Sequence, residues 1–211
     1  MQIITEWVLA HLSYWVIVLF MAIESSFIPF PSEVIVPPAA WLAAVSGDLN
    51  IFLVILCATL GALIGALVNY ALALWLGRPI VYAFANSRWG HLCLIDAQKV
   101  ETAEAFFDRH GAISTFVGRL VPAVRQLISI PAGLARMGLP RFIFFTTLGA
   151  GIWNTVLALL GYYCSKIPGL ETKEKVVELA ERYSHEIGYV IFGIVALVLL
   201  FIIYKMRKQS K

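Results

Sequence analysis

The chain has 211 residues, 60% of them hydrophobic and 14% charged, against about 45–50% and about 25% for soluble domains. That balance excludes an ordinary soluble enzyme, a disordered chain and a nucleic-acid binder. Of the 29 charged residues, eight lie in 78–109, nine in 166–186 and four in 205–211. Segments 49–77, 142–165 and 187–204 carry none, and each is close to or above the ~18–20 apolar residues that cross a bilayer. The expected class is an all-α polytopic membrane protein, for which the position of each charge says more than the net +3.

In chain order, residues 1–26 hold the expected first membrane helix, apolar from Trp7 to about Ile23 with His11 inside it. No Lys or Arg precedes this stretch and no small-x-small cleavage site follows, so it reads as a retained span rather than a signal peptide. Residues 27–48 are apolar but contain Pro29, Pro31, Pro37 and Pro38 around Glu33. Proline removes a backbone donor and clashes with the preceding turn, so one continuous helix is excluded. The expectation is a re-entrant hairpin, which survives at membrane depth only inside protein or beside a wet cavity. Residues 49–77 form a membrane helix rich in small residues, in which Gly61-x-x-x-Gly65 permits close helix contact, within the chain or between copies. Asn69 and Tyr70 follow, and Gly77-Arg78-Pro79 is expected to end the span.

A cytoplasmic segment, 78–111, contains an amphipathic helix over 95–110, closed by Gly111. Residues 112–136 repeat the earlier pattern: apolar, broken by Pro122 and Pro131, with Arg119, Arg125 and Gln126 inside. A second re-entrant hairpin is expected there. Then come a membrane helix at 142–165 carrying Trp153 and Asn154, an external loop at 166–186, a last membrane helix at 187–204 and a basic tail at 205–211. The three cysteines, Cys57, Cys93 and Cys164, have no metal-like spacing and read as small apolar residues.

The order of parts repeats. Each proline-broken hairpin precedes a long glycine-rich helix with an internal asparagine, Asn69 in one and Asn154 in the other. Counting four full spans and a cytoplasmic C-tail puts the N-terminus in the cytoplasm too. Ten Lys and Arg then lie on the cytoplasmic side (78, 88, 99, 109, 136, 141, 205, 207, 208 and 211) and four outside (166, 173, 175 and 182). The bias has the expected sign. It makes the hairpins enter from opposite sides, an inverted-repeat arrangement with its site near the midplane.

Four charges remain inside the apolar structure: Glu24, Glu33, Arg119 and Arg125. Each would cost about 2.5–3.5 kcal/mol at mid-membrane if left alone, so pairing, water or neutralisation is required. The acids belong to the first half and the bases to the second; where the hairpins meet, they should face each other in a hydrated hollow. Paired guanidiniums suit an anion with several oxygens. A carboxylate in a low-dielectric site is a candidate to take up a proton. The reading is phosphate binding at Arg119 and Arg125 with proton coupling at Glu24 and Glu33. Pro31, Pro122, Gln126, Asn69, Tyr70, Trp153 and Asn154 are candidate cavity residues. Apolar walls at bilayer depth point to a lipid substrate. The bland alternatives are an interfacial carboxylate at Glu24, a structural ion pair at the arginines, and packing roles for Trp153 and Asn154.

At these residues the chain resembles the DedA family, the bacterial branch of the VTT-domain membrane proteins. The likeness runs over about residues 22–165. It rests on Glu24 with Pro29-Phe-Pro31-Ser32-Glu33, on Gly61, Gly65, Tyr70 and Gly77, and on Gly118-Arg119-Leu-Val-Pro122-Ala-Val-Arg125. Ala132-Gly133, Met137, Phe142, Gly149 and Trp153 extend it. The chain departs from the pattern at Ala66, where many relatives carry Asp. The resemblance implies two facing re-entrant hairpins in a bacterial inner-membrane protein. It also implies translocation of undecaprenyl phosphate or of phospholipids such as phosphatidylethanolamine, with dependence on the proton-motive force. No cofactor, metal or nucleic-acid partner is expected, and a homo-oligomer is compatible with the sequence. The competing readings are a membrane enzyme acting on lipid phosphate, a proton-coupled carrier of a small polar solute, and a structural protein whose charges only lock the fold.

Overall fold

The computed structural model describes residues 7–26, 31–88, 97–111, 113–121, 124–167, 172, 175–179, 182 and 183, and every regular element among them is helical. The expected last membrane helix at 187–204, the tail, most of 166–186 and Pro122 lie outside the described residues. The labelled helices are α1 (Tyr14–Glu24), α2 (Val36–Val45), α3 (Ile51–Ala85), α4 (Ala97–His110), α5 (Ile113–Arg119), α6 (Ser129–Leu134) and α7 (Leu139–Cys164).

Among the described residues, α3 and α7 alone are long and apolar enough to cross a membrane. At 1.5 Å per residue, the 26 residues of α7 reach about 39 Å, more than the ~30 Å hydrocarbon layer. Asn50 starts α3: its Oδ1 accepts from the backbone N–H of Phe52 at 2.9 Å and of Leu53 at 3.4 Å, satisfying donors that a helix start leaves open. At Gly77 the backbone turns left-handed, with φ 71°, a conformation open to glycine at little cost. The helix kinks there and resumes to Ala85 instead of ending at Gly77-Arg78-Pro79. Pro79 is tolerated because it stands in the first turn after the break, where its missing N–H has no partner to lose.

The other helices in the apolar region are short. α1 and α2 have 11 and 10 residues and α5 and α6 have seven and six. The longest is about 17 Å, roughly half the hydrocarbon thickness. Within the expected first membrane helix, residues 7–10 form a turn of helix and residues 11–13 interrupt it. Ser13 has extended backbone and its Oγ accepts from the Val16 N–H at 3.5 Å, so the chain starts α1 afresh. Pro37 and Pro38 sit in the first turn of α2, after the 3-10 turn Ser32–Val34, and so begin a helix as well as break one.

α1 lies along α3 in extensive contact. A Cβ at Gly61 would stand 2.8 Å from Met21 Cβ, and one at Gly65 2.9 Å from Ser25 Cβ. The glycine pair is therefore used within the chain. The short helices are exchanged between halves: α2 packs on α7, and α6 packs on α3. α4 turns Val100 and Phe107 inward, Phe107 joining Tyr70, Met137 and Phe142. Trp15, Phe52 and Trp75 point outward, each more than three-quarters exposed, which suits a hydrocarbon surround.

Candidate functional site

The fold gathers the four intramembrane charges. Glu24 is the last residue of α1, Glu33 lies in the 3-10 turn, Arg119 ends α5, and Arg125 lies in the turns that lead to α6. All four are at most 8% exposed.

Arg125 is the hub. Its Nη2 stands 2.7 Å from Glu24 Oε1 and 3.8 Å from Glu33 Oε2, and it donates to Ser32 Oγ at 2.8 Å. Ser25 Oγ donates to the other Glu24 oxygen at 2.9 Å, and Ser32 Oγ to Glu33 Oε2 at 3.4 Å. The Arg125 guanidinium also lies over the Trp153 ring, 5.1 Å from its centroid, an arrangement favoured by the ring quadrupole. One cation thus ties together the end of α1, the 3-10 turn and α7.

Arg119 is held differently. Its Nη2 donates to Ser129 Oγ at 2.9 Å, and among the described residues no carboxylate comes within 4 Å of it. Its stem lies in a notch of α7, where a Cβ on Gly149 would come 2.7 Å from Arg119 Cβ and 3.1 Å from the Phe116 carbonyl oxygen. The expectation that acids and bases meet therefore holds pairwise for Arg125. Arg119 is buried beside a serine.

Of the candidate cavity residues, Asn69 donates to the carbonyl oxygens of Ser25 at 3.2 Å and Gln126 at 3.5 Å, tying the end of α1 and the turns before α6 to α3. Tyr70 stacks on Phe142 at 4.5 Å, and its hydroxyl donates to the Met137 carbonyl. Asn154 donates to Thr59 Oγ1 at 3.3 Å, a contact between the two long helices rather than with the charges. Pro31 directly precedes the 3-10 turn and is half-buried. Ser32 and Ser129, the neutral partners of the two arginines, were not among the sequence candidates. Ser32 stands beside Glu33 in the motif, but nothing in the sequence links Ser129 to a residue ten positions earlier.

The buried Nε atoms of both arginines, Thr146 Oγ1 and Trp153 Nε1 have no hydrogen-bond partner among the described residues. An apolar crevice of about 220 Å³ runs along α3 past Leu72, Leu76 and Ile80, with Ile130 opposite and Asn69 at its polar end. No cluster of three His, Cys, Asp or Glu occurs among the described residues.

Comparison with known proteins places these residues in a wider group. The VTT domain family matches residues 30–163. An "Alkaline phosphatase-like protein" of Lactococcus lactis subsp. lactis is 33% identical over 207 residues, covering 98% of this chain and 94% of that protein. "Undecaprenyl phosphate transporter A" of Staphylococcus aureus is 30% identical over 181 residues, covering 83% and 88%. The Bacillus subtilis protein of the same name is 27% identical over 175 residues, covering 83% and 82%. No solved structure matches.

Proposed function

The chain belongs to the VTT-domain (DedA) family, and from that premise we propose that it is a membrane translocase for lipids with phosphate headgroups. Undecaprenyl phosphate is the first candidate, a phospholipid such as phosphatidylethanolamine the second. The observation that carries this reading is the burial of Arg119 and Arg125 in an apolar chain, with donors left over after their protein contacts are made. Arginine stays charged and binds phosphate bidentately, so these positions suit a headgroup with several oxygens. The crevice ending at Asn69 gives a hydrocarbon tail an apolar path beside them. The names of the two transporter relatives point to the same substrate.

In this mechanism the two proline-broken segments are re-entrant hairpins entering from opposite leaflets, and the termini are cytoplasmic. The exchange of α2 and α6 between the long helices supports that inverted repeat. At rest Glu24 occupies Arg125 as a phosphate would. Protonation of Glu24 or Glu33 removes the competing charge and lets the headgroup in. Deprotonation restores the carboxylate and expels it. Rocking of the hairpins exposes the site to each leaflet in turn.

The test is a reconstituted-vesicle assay with labelled undecaprenyl phosphate and labelled phospholipids. Translocation without chemical change is expected, and lost in Arg119→Ala and Arg125→Ala proteins that still fold. The printed name of the Lactococcus relative keeps a phosphatase in view; released inorganic phosphate would mean an enzyme instead. Uptake of a small solute without lipid movement would favour the carrier reading.

A further inference from the structure

Among the buried side-chain atoms of the described residues without a hydrogen-bond partner, two are the arginine Nε atoms and two, Thr146 Oγ1 and Trp153 Nε1, come from α7; the others are Glu24 Oε1 and Trp41 Nε1 of α2. Thr146, Gly149 and Trp153 recur at spacings of three and four, so they share one face of α7. That face borders both arginines: the Arg119 stem lies against Gly149, and the Arg125 guanidinium lies over Trp153. Thr146 is fully buried and Trp153 is 2% exposed. Buried polar groups nearly always find a partner, and four such atoms on the arginines and on the α7 face that borders them call for a common cause. An indole N–H can donate and cannot accept, and the same is true of a guanidinium Nε. Neighbouring arginines therefore cannot satisfy Trp153, nor Trp153 the arginines. Glu24 Oε1, 2.7 Å from Arg125 Nη2, accepts no hydrogen bond and the other oxygen accepts from Ser25, so Glu24 offers these groups one open oxygen at most. What fits is a ligand that brings several acceptor oxygens at once.

We propose that Thr146 and Trp153 are phosphate-binding residues, the uncharged half of the anion site, donating from α7 to oxygens that Arg119 and Arg125 leave open. The inference rests on the reading that the arginines receive a phosphate, and extends the site to a helix that no charge would single out. Uncharged donors add direction without adding charge. They respond to the number of free oxygens, so a phosphomonoester, with three, gains more from them than a diester with two.

The experiment measures binding of a prenyl monophosphate, a chain-matched phosphodiester and inorganic phosphate to the full chain in detergent micelles. Thr146→Val and Trp153→Phe should each weaken the monophosphate about tenfold or more, as for a hydrogen bond to a charged group, with a smaller loss for the diester. Thr146→Ser should retain affinity and serves as the folding control. Tighter binding of the prenyl compound than of inorganic phosphate assigns the headgroup to a lipid; equal binding assigns a free anion to the same donors. Wild-type affinity in both Thr146→Val and Trp153→Phe overturns the proposal, as does a lowered melting temperature with the folded fraction's affinity unchanged. If Arg119→Ala and Arg125→Ala also bind as wild type, the phosphate reading itself is what fails.

Discussion

Replacing Glu24 by glutamine removes the charge that faces Arg125 Nη2 at 2.7 Å. Both side chains are at most a tenth exposed, so solvent screens them little. Removing one member of a buried pair typically costs about 3–5 kcal/mol, because the other remains as an unpaired charge. Here Ser32 still accepts from the same nitrogen at 2.8 Å and Glu33 stands at 3.8 Å. The loss for Glu24→Gln should therefore fall near the low end, about 3 kcal/mol. Arg125→Met strands Glu24 with Ser25 as its neutral donor and should cost about 3–5 kcal/mol. If the two residues stabilise the fold through each other, the double variant should cost about 2 kcal/mol less than the sum of the singles. Equilibrium unfolding in mixed micelles, at rising mole fraction of a denaturing detergent, measures all three. Losses that add to within about 0.5 kcal/mol would refute the coupling and the role of Glu24 as occupant of the site.

Gly149→Ala places a Cβ 2.7 Å from Arg119 Cβ; overpacking of this kind costs about 1–3 kcal/mol, and lipid movement in vesicles should fall sharply while the protein still inserts. Leu72→Trp narrows the crevice beside Asn69 and should slow long-chain lipids more than short-chain ones in the same assay. Glu24→Gln combined with Glu33→Gln should bind a phosphodiester lipid more tightly than wild type, because it removes both carboxylates that compete for Arg125. Asn50→Ala should cost about 1 kcal/mol of stability through the lost cap of α3, with transport rates unaffected.

The periodic and chemical features of the fold were legible in the sequence. Gly61 and Gly65 announced a close helix contact, the charge-free segments announced α3 and α7, and the isolated charges announced a cluster. What was not legible depends on which surfaces meet. The restart of α1 at Ser13 competes with an apolar run that reads as one span, and a single serine cap decides it. Arg119 and Arg125 look equivalent in sequence, yet one faces carboxylates and the other Ser129. Thr146 carries no charge and no motif, and only the packing of α5 on α7 puts its helix against the arginine segment.

This asymmetry between the arginines bears on whether the cluster is merely a lock. A structural lock is best served by saturating both guanidiniums, since a buried charge with unused donors opposes folding. Arg125 is the better neutralised of the two: its Nη2 meets Glu24, Glu33 and Ser32 and so reaches two separate segments, although its Nε is unpartnered. Arg119 has no carboxylate within 4 Å among the described residues: it is 3% exposed, bonded to Ser129, and its Nε is also unpartnered. Evolving a methionine there would remove that burden, so the guanidinium needs a benefit that the ligand-free fold does not display. A phosphate supplies one, and its arrival has a mechanical consequence. On the proposed mechanism, a phosphate that displaces Glu24 from Arg125 Nη2 loosens the end of α1 from the 3-10 turn. Ligand affinity and hairpin position then become one linked equilibrium, which is what a carrier needs and a static lock has no use for.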